Sequence, residues 1–145
     1  MSLPIQISPQ AYDVMRQHAE EHFPDECCGF LYGHDNDVSR NIMQAVPVLN
    51  AKEGDKRRRF EISTQDYMKA ERYALLQQTT LLGVYHSHPQ HPAIASEHDL
   101  KQAMPFFSYV ILSVMDGKTA DIKSWQLNEA NTAFAEETIN AKFKI

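Results

Sequence analysis

Two histidines separated by one residue form the centre of a candidate metal site in this sequence. His86 and His88 enclose Ser87 at the end of a predicted strand. Because side chains two residues apart on a strand project to the same face, both imidazoles can approach one ion while Ser87 faces away. Asp99 falls in the first turn of a predicted short helix, where the helix dipole favours a carboxylate, so it can supply a third ligand.

Two histidines and one carboxylate leave one position of a tetrahedral zinc ion open. An open position is typical of catalytic zinc sites, whereas structural sites have four protein ligands. Water at that position has its pKa lowered to about 7 and becomes a nucleophile. The pattern therefore predicts hydrolysis.

Two further residues could complete a hydrolytic site. Glu26 precedes an apolar run and could act as general acid/base, moving a proton from the attacking water to the leaving amine. From its position alone, Glu26 is more simply a solvating charge at a strand edge. Ser96 lies three residues before Asp99, which is typical of a helix N-cap, yet its hydroxyl could also donate to an oxyanion.

The order and spacing of these residues resemble the signature of a known family. The segment His86 to Pro89, followed by Ser96 and Asp99, is similar to the motif of the JAMM metallopeptidases within the Mov34/MPN/PAD-1 family. The block Glu26 to Gly33 resembles one that is common in small prokaryotic members, and Asn50 resembles a further landmark. A lone His-x-His pair is a weak signal, whereas the combined pattern is specific.

This resemblance implies a role for each of five residues. His86, His88 and Asp99 would bind Zn²⁺, Glu26 would be the general acid/base, and Ser96 would stabilise the oxyanion. The implied function is that of a zinc-dependent metallopeptidase or isopeptidase. Its substrate would be a peptide or isopeptide bond at the C-terminal tail of a ubiquitin-like or sulfur-carrier protein.

The resemblance also implies a fold and leaves two other functions to consider. The fold is α/β, a single MPN domain over residues 1–145, with helices flanking a curved mixed β-sheet as in cytidine deaminases. A non-catalytic MPN scaffold for protein assembly is the alternative function, but such modules typically lose the metal ligands that are present here. A zinc deaminase requires a Pro-Cys-x-x-Cys segment, which this sequence lacks.

The first half of the chain predicts two helices and two strands that must position Glu26. Ser8 and Pro9 begin a helix that runs to about His22, and a second helix runs from Ser63 to about Gln78. Between them, Cys27 to Tyr32 predicts a buried strand, Gly33 to Asp37 a turn, and Val38 to Leu49 the partner strand. The expected apolar stripe of the first helix is Ala11, Val14, Met15 and Ala19.

The second half predicts the strand and helix that carry the metal ligands. Thr80 to His86 forms a strand, and a short helix begins at Ser96 after a proline-containing loop. Phe106 to Met115 and Thr119 to Leu127 form a hairpin around Asp116-Gly117. The tail has helical character around Ala130 to Glu137 and could end in a strand that closes at Ile145.

Composition and charge limit the partners of the protein. The 145 residues carry a net charge of −5 and 43% hydrophobic residues, which favours one globular domain that binds neither nucleic acid nor membranes. No secretory signal or membrane span is recognisable, so we expect a cytoplasmic protein; the oligomeric state is not indicated. The adjacent Cys27 and Cys28 predict reduced, buried thiols on opposite faces of a strand.

Several other polar residues have a simple structural explanation. His91 and His98 lie near the motif but are not required by it, and His18 and His22 suit packing or capping roles on the first helix. The basic run Lys56 to Arg59 is typical of a solvated loop. The family resemblance places this region near the substrate groove, where it could attract an acidic protein or a terminal carboxylate.

Overall fold

The computed structural model describes residues 3–141 and residue 143. Three helices and eight strands are found in this part of the chain. In chain order they are β1 (Ile5–Ile7), α1 (Pro9–His22), β2 (Cys28–Asp35), β3 (Arg40–Val48), α2 (Thr64–Gln77), β4 (Thr80–Pro89), α3 (Glu97–Gln102), β5 (Ser108–Met115), β6 (Lys118–Leu127), β7 (Phe134–Glu137) and β8 (Ile139–Ala141).

All the strands belong to one mixed sheet, in the order β7-β6-β5-β4-β2-β3-β1-β8. The pairs of β2 with β3 and with β4, and of β6 with β5 and with β7, are antiparallel. The pairs of β4 with β5, β1 with β3 and β1 with β8 are parallel. The predicted α/β architecture with a mixed sheet and flanking helices is confirmed.

The two edge strands are neighbours in sequence. β7 pairs with β6 and β8 pairs with β1, and Thr138 alone separates them. The carbonyl of Thr138 accepts a hydrogen bond from the backbone N–H of Ile5 at 2.8 Å. A short stretch of chain therefore reaches both edges, so the sheet is curved and nearly closed.

A buried arginine connects several strands of this sheet. Arg40 is 4% exposed and donates from Nε and Nη2 to the two carboxylate oxygens of Asp35, at 2.9 and 3.0 Å. Its Nη1 donates to Ser108 Oγ at 2.9 Å and to two backbone carbonyls. Nearby, the buried Glu137 accepts from Ser124 Oγ at 2.9 Å, and burial raises its pKa although Arg40 opposes the shift. These bonds satisfy charges that would otherwise destabilise the interior.

Serine caps begin both long helices, as the sequence predicts. Ser8 Oγ accepts from the N–H of Ala11, and Ser63 Oγ accepts from the N–H of Asp66, each at 3.1 Å. The buried face of α1 consists of Ala11, Tyr12, Met15 and Ala19. Val14 is 36% exposed, so its place in the predicted stripe is wrong; Tyr12, about one turn before Met15 on the helix, is buried instead.

Two apolar cores lie on opposite sides of the sheet. Cys27 and Leu31 belong to the core that contains α1 residues, whereas Cys28 and Phe30 belong to the core that contains α2 residues. The predicted placement of the two cysteines on opposite faces is confirmed. Burial raises the pKa of both thiols, that of Cys27 to about 12, so they remain protonated and unreactive.

Two local predictions are corrected by the structure. The turn predicted at Gly33 is part of β2, which continues to Asp35; a Cβ atom at Gly33 would lie 1.8 Å from the carbonyl oxygen of Asn41, so glycine permits close strand approach here. The helix predicted around Ala130 to Glu137 is wrong, because Phe134–Glu137 pairs with β6 as a strand. The predicted end of the last strand at Ile145 lies outside the described residues.

No described helix has the length and apolar character needed to cross a membrane.

Candidate metal centre

The two histidines of the motif lie on an internal strand of the sheet. In β4, His86 pairs with Cys28 of β2 on one side and with Ile111 of β5 on the other. Both imidazoles are buried, with 0% of His86 and 8% of His88 exposed. Their Nε2 atoms lie 3.1 Å apart, so the two side chains point to one location as predicted. Pairing with the flanking strands β2 and β5 positions the backbone that carries this pair.

Asp99 brings a carboxylate oxygen to the same location. It is buried in the first turn of α3, and its Oδ2 lies 3.4 Å from Nε2 of His86 and 3.4 Å from Nε2 of His88. The ligand atoms of a tetrahedral zinc ion, each about 2.0–2.1 Å from the metal, lie about 3.4 Å from one another. The three residues therefore have the donor types and the spacing that a zinc ion requires.

The hydrogen bond of His88 defines which of its nitrogens can bind a metal. His88 Nδ1 lies 2.9 Å from the carbonyl oxygen of Pro92, which can only accept, so Nδ1 carries the proton. This leaves the lone pair of Nε2 directed at the site. His86 is held differently: the Phe60 ring stacks on it at 4.4 Å, and its buried Nδ1 has no hydrogen-bond partner among the described residues.

The charge states of Asp99 and His86 suit metal binding. Burial disfavours the charge of Asp99, but His86, His88 and the N–H of Ser96 outweigh it and hold the pKa of the carboxyl well below its usual range. Burial lowers the pKa of His86. Burial also acts to lower the pKa of His88, yet Asp99 and the Pro92 carbonyl raise it. Asp99 is thus anionic and His86 neutral, as ligands must be.

Glu26 lies in the segment before β2 and is 6% exposed. Its backbone N–H donates to the carbonyl of Lys56 at 2.7 Å, and its carbonyl accepts from Asn50 Nδ2 at 3.1 Å. Burial raises the pKa of its carboxyl to about 8, with His88 opposing and Asp99 adding to the shift. A carboxyl with this pKa can take up and release a proton near neutral pH.

Asn50 connects Glu26 to the loop that carries the basic run Lys56 to Arg59. Besides the carbonyl of Glu26, its Nδ2 donates to the carbonyl of Arg59 at 3.1 Å. Its Oδ1 accepts from the N–H groups of Lys52 and Glu61, at 3.0 and 3.1 Å. The sequence singled out Asn50 only as a landmark, and the structure shows that this one side chain fixes the loop beside Glu26.

Ser87, like Asn50, anchors the chain next to Glu26, and the sequence did not reveal this role. Its Oγ accepts from the N–H of Cys27 at 2.9 Å, and its own N–H donates to the carbonyl of Cys27 at 3.1 Å. Cys27 belongs to the core that contains α1 residues, whereas His86 stacks on Phe60 of the other core, so Ser87 faces away from the candidate ligands as predicted. The residue between the two histidines therefore ties β4 to the residue that follows Glu26.

A cavity of about 540 Å³ borders His88, one of the three candidate metal ligands. Catalytic candidates, cations and apolar side chains share its walls, which comprise Glu26, Arg58, Arg59, His88, His91, Pro92, Ile94 and Ser96. The structure thus brings both predicted catalytic residues to the cavity that borders a predicted metal ligand.

The other histidines do not belong to the group of potential ligands. Among the described residues, that group contains only His86, His88 and Asp99. His91 lines the cavity, and the side chain of His98 contacts Gln102.

Two histidines of the first helix have packing contacts, as the sequence suggested. Nδ1 of His18 lies 2.7 Å from the hydroxyl of Tyr85, and Nδ1 of His22 lies 3.2 Å from the carbonyl of His18. Burial, with a smaller contribution from His22, lowers the pKa of His18 to about 4. His18 is therefore neutral at physiological pH.

Comparisons with known proteins identify a family. The sequence model of the family described as prokaryotic homologs of the JAB domain matches residues 8–128. No curated protein sequence matches the chain.

Solved structures resemble the whole described fold. The solution structure of a protein from Salinibacter ruber is 34% identical with a TM-score of 0.72, covering 97% of this chain and 95% of that chain. Protein DSY2949 from Desulfitobacterium hafniense is 26% identical with a TM-score of 0.82, covering 97% and 94%. AF2198, a JAB1/MPN domain protein from Archaeoglobus fulgidus, is 16% identical with a TM-score of 0.56, covering 97% and 98%, and supports the fold alone. Since the family match spans most of the sequence, the chain belongs to the prokaryotic homologs of the JAB domain.

Proposed function

We propose that this protein is a zinc-dependent metallopeptidase or isopeptidase. The observation that carries the proposal is the convergence of His86, His88 and Asp99, together with a cavity that is lined by His88, Glu26 and Ser96. His86, His88 and Asp99 would hold a zinc ion, which would supply Lewis-acid activation of water. The remaining chemistry belongs to side chains of the cavity.

Glu26 is the proposed proton carrier. As a carboxylate it accepts a proton from the attacking water, and as a carboxylic acid it delivers that proton to the nitrogen of the leaving amine. Its pKa of about 8 makes both states accessible near neutral pH. Its backbone is held by Asn50 and Lys56, so the carboxyl group stays in the cavity wall.

Ser96 is the proposed donor to the oxygen that gains charge when the carbonyl is attacked. Its Oγ accepts the capping hydrogen bond from the N–H of Asp99, which uses a lone pair of the oxygen. The hydroxyl hydrogen remains free to donate. The capping role and the oxyanion role of Ser96 are therefore compatible.

The proposed substrate is the C-terminal tail of a ubiquitin-like or sulfur-carrier protein. A cavity of about 540 Å³ has the size of a site for a small ligand, so it suits a few residues of extended chain rather than a folded domain. Membership of the JAB family supports the same class of reaction.

The proposal is tested with zinc analysis and a cleavage assay on one set of proteins. Wild type and Glu26→Gln should each bind one zinc ion per chain, and wild type should cleave a sulfur-carrier fusion at the end of its tail. Glu26→Gln should lose at least about 100-fold in kcat while retaining zinc, because it cannot transfer the proton. Glu53→Gln is the control: it removes an exposed carboxyl group of the loop between β3 and α2, and it should remain active.

A scaffold for protein assembly is the alternative that this experiment separates. Absence of stoichiometric zinc in wild type, or zinc-loaded wild type that leaves every carrier fusion intact, would favour the scaffold. Equal activity of Glu26→Gln and wild type would exclude the assigned role of Glu26.

A further inference from the structure

The cavity beside the metal ligands contains two permanent positive charges. Arg58 and Arg59 line it together with Glu26, His88 and Ser96. The chain as a whole carries a net charge of −5, so this local concentration of cations is opposite in sign to the protein. A ligand for this part of the cavity should carry negative charge.

Neither guanidinium is neutralised by a strong ion pair. Arg58 lies 3.8 Å from Asp55, but the two side chains are 81% and 59% exposed, and such pairs are weak. Within the described part of the chain, no acidic side chain lies within ion-pair distance of Arg59. Both arginines are free to bind an anion.

The backbone that carries these arginines is fixed to Glu26. Asn50 Nδ2 donates to the carbonyls of both Glu26 and Arg59, and the N–H of Glu26 donates to the carbonyl of Lys56. The backbone segment that carries the arginines therefore lies on the Glu26 side of the cavity. This is the side on which the proposed mechanism protonates the leaving amine.

The position of these charges beside Glu26 specifies a kind of leaving group. In the last residue of a peptide, the nitrogen that receives the proton and the free carboxylate are attached to the same Cα atom. A group that protonates this nitrogen must therefore lie close to a group that binds the carboxylate. Arginine is well suited to the second task because its planar fork matches a carboxylate.

We infer that Arg58 and Arg59 bind the free α-carboxylate of the residue that is released, so the protein acts as an exopeptidase on a C-terminal residue. This inference rests on the proposed peptidase function. The reaction consumes one water molecule, whose oxygen joins the acyl carbon as the C–N bond breaks. One proton of the water reaches the leaving nitrogen through Glu26, and a free amino acid is released.

The first test compares matched peptides. Wild type is given a short peptide ending Gly-Gly-Ala as the free acid, the same peptide as its C-terminal amide, and an amide ending Gly-Gly-Asp. The free acid should have a kcat/KM at least about tenfold higher than either amide, as one charge-assisted hydrogen bond can provide. Added salt should reduce the preference, because the arginines are exposed.

Variants identify the residues responsible. Arg58→Ala, Arg59→Ala and the double variant should lower the ratio of acid to amide cleavage, and the double variant should bring it close to one. Arg57→Ala removes an equal charge from the same loop but does not line the cavity, so it should retain the wild-type ratio. A ratio that falls equally in Arg57→Ala would overturn the assignment to the cavity arginines.

A binding measurement separates this inference from the proposed peptidase function. Isothermal titration of Glu26→Gln with the same peptides should show tighter binding of the free acid, lost when Arg58 and Arg59 are also replaced. This result together with an inactive wild type would reject the peptidase while supporting the carboxylate site.

Three further outcomes overturn the inference. Equal cleavage of acid and amide by wild type would reject the exopeptidase and leave the metallopeptidase standing. Equal cleavage of the free acid and the aspartyl amide would show that the arginines bind a side-chain carboxylate. Failure of wild type to cleave any peptide, with equal or no binding of acid and amide to Glu26→Gln, would reject both the peptidase and the site.

Discussion

Ser96 and Asp99 exchange two hydrogen bonds at the start of α3. Ser96 Oγ accepts from the N–H of Asp99 at 3.1 Å, and Asp99 Oδ2 accepts from the N–H of Ser96 at 2.9 Å. The same Oδ2 atom lies 3.4 Å from both histidine Nε2 atoms. This capping box, which begins the helix, thus also orients the carboxylate of the candidate metal centre.

Replacing Ser96 should separate its capping role from its catalytic role. Alanine and glycine both lack the hydroxyl donor, so each variant should lose about 10²–10³-fold in kcat. Alanine should also lower the free energy of unfolding by about 1 kcal/mol, whereas glycine, a tolerated N-cap, should cost only a few tenths. Urea unfolding and cleavage rates on the same preparations check both effects. Activity losses that follow the stability losses would reject the oxyanion role.

Zinc should stabilise the protein only when the Asp99 carboxylate is present. With free zinc at about 100 times its Kd, the free energy of unfolding of wild type should rise by about 2.7 kcal/mol. Asp99→Asn should show little of this gain, because a neutral amide replaces the anionic ligand. Scanning calorimetry with zinc, and with magnesium as the control, measures the effect. An equal zinc-induced rise in Tm for wild type and Asp99→Asn would place the ion elsewhere.

Glu26 should make the metal-free protein less stable as pH rises. Its pKa is about 8 in the folded protein and about 4.5 without burial, so between these pH values the folded state retains a proton that the unfolded state has released. The contribution of Glu26 to the free energy of unfolding is complete below pH 4.5 and falls as the pH rises towards 8.

The neutral Glu26→Gln variant should therefore be more stable than wild type at pH 8, by on the order of 1–3 kcal/mol, and closest to it below about pH 4.5. Urea unfolding after removal of metal by a chelator gives the comparison, with Glu53→Gln as the matched carboxyl variant. A gain that is the same at both pH values would contradict the raised pKa of Glu26.

Arg40 should be essential for closure of the sheet. Methionine at this position would leave Asp35 and the buried Glu137 without a nearby cation, so the free energy of unfolding should fall by about 3–5 kcal/mol. Arg16→Met removes a half-exposed arginine in a helix ion pair and should cost less than about 1 kcal/mol. Similar losses in the two variants, measured by urea unfolding, would show that the Arg40 contacts contribute little.

The local sequence predicted the elements that carry the ligands. Serine caps mark Ser8, Ser63 and Ser96, and the alternation of β4 places both histidines on one face. These features depend on residues a few positions apart, so the sequence shows them directly. The grouping of the three ligands in the structure agrees with the role that family resemblance gave them.

Residues that act across long stretches of chain were harder to find. The Ser87–Cys27 bonds and the Asn50 bonds to Glu26 and Arg59 join segments that come together only in the folded protein. Polar residues at such positions have no local pattern. The helix predicted near the C-terminal end failed for a related reason, because pairing with β6 determines the conformation of Phe134–Glu137.

The pairing of Ile5 with Ile139 determines when the fold can be completed. Nearly the whole described chain lies between these residues, so their strands can pair only after almost all of that chain has been synthesised. Until then, β1 and β6 present unpaired backbone groups that can bind other chains. The step most exposed to aggregation during biosynthesis is therefore the arrival of the last strands, long after the segment that carries His86 and His88 has left the ribosome.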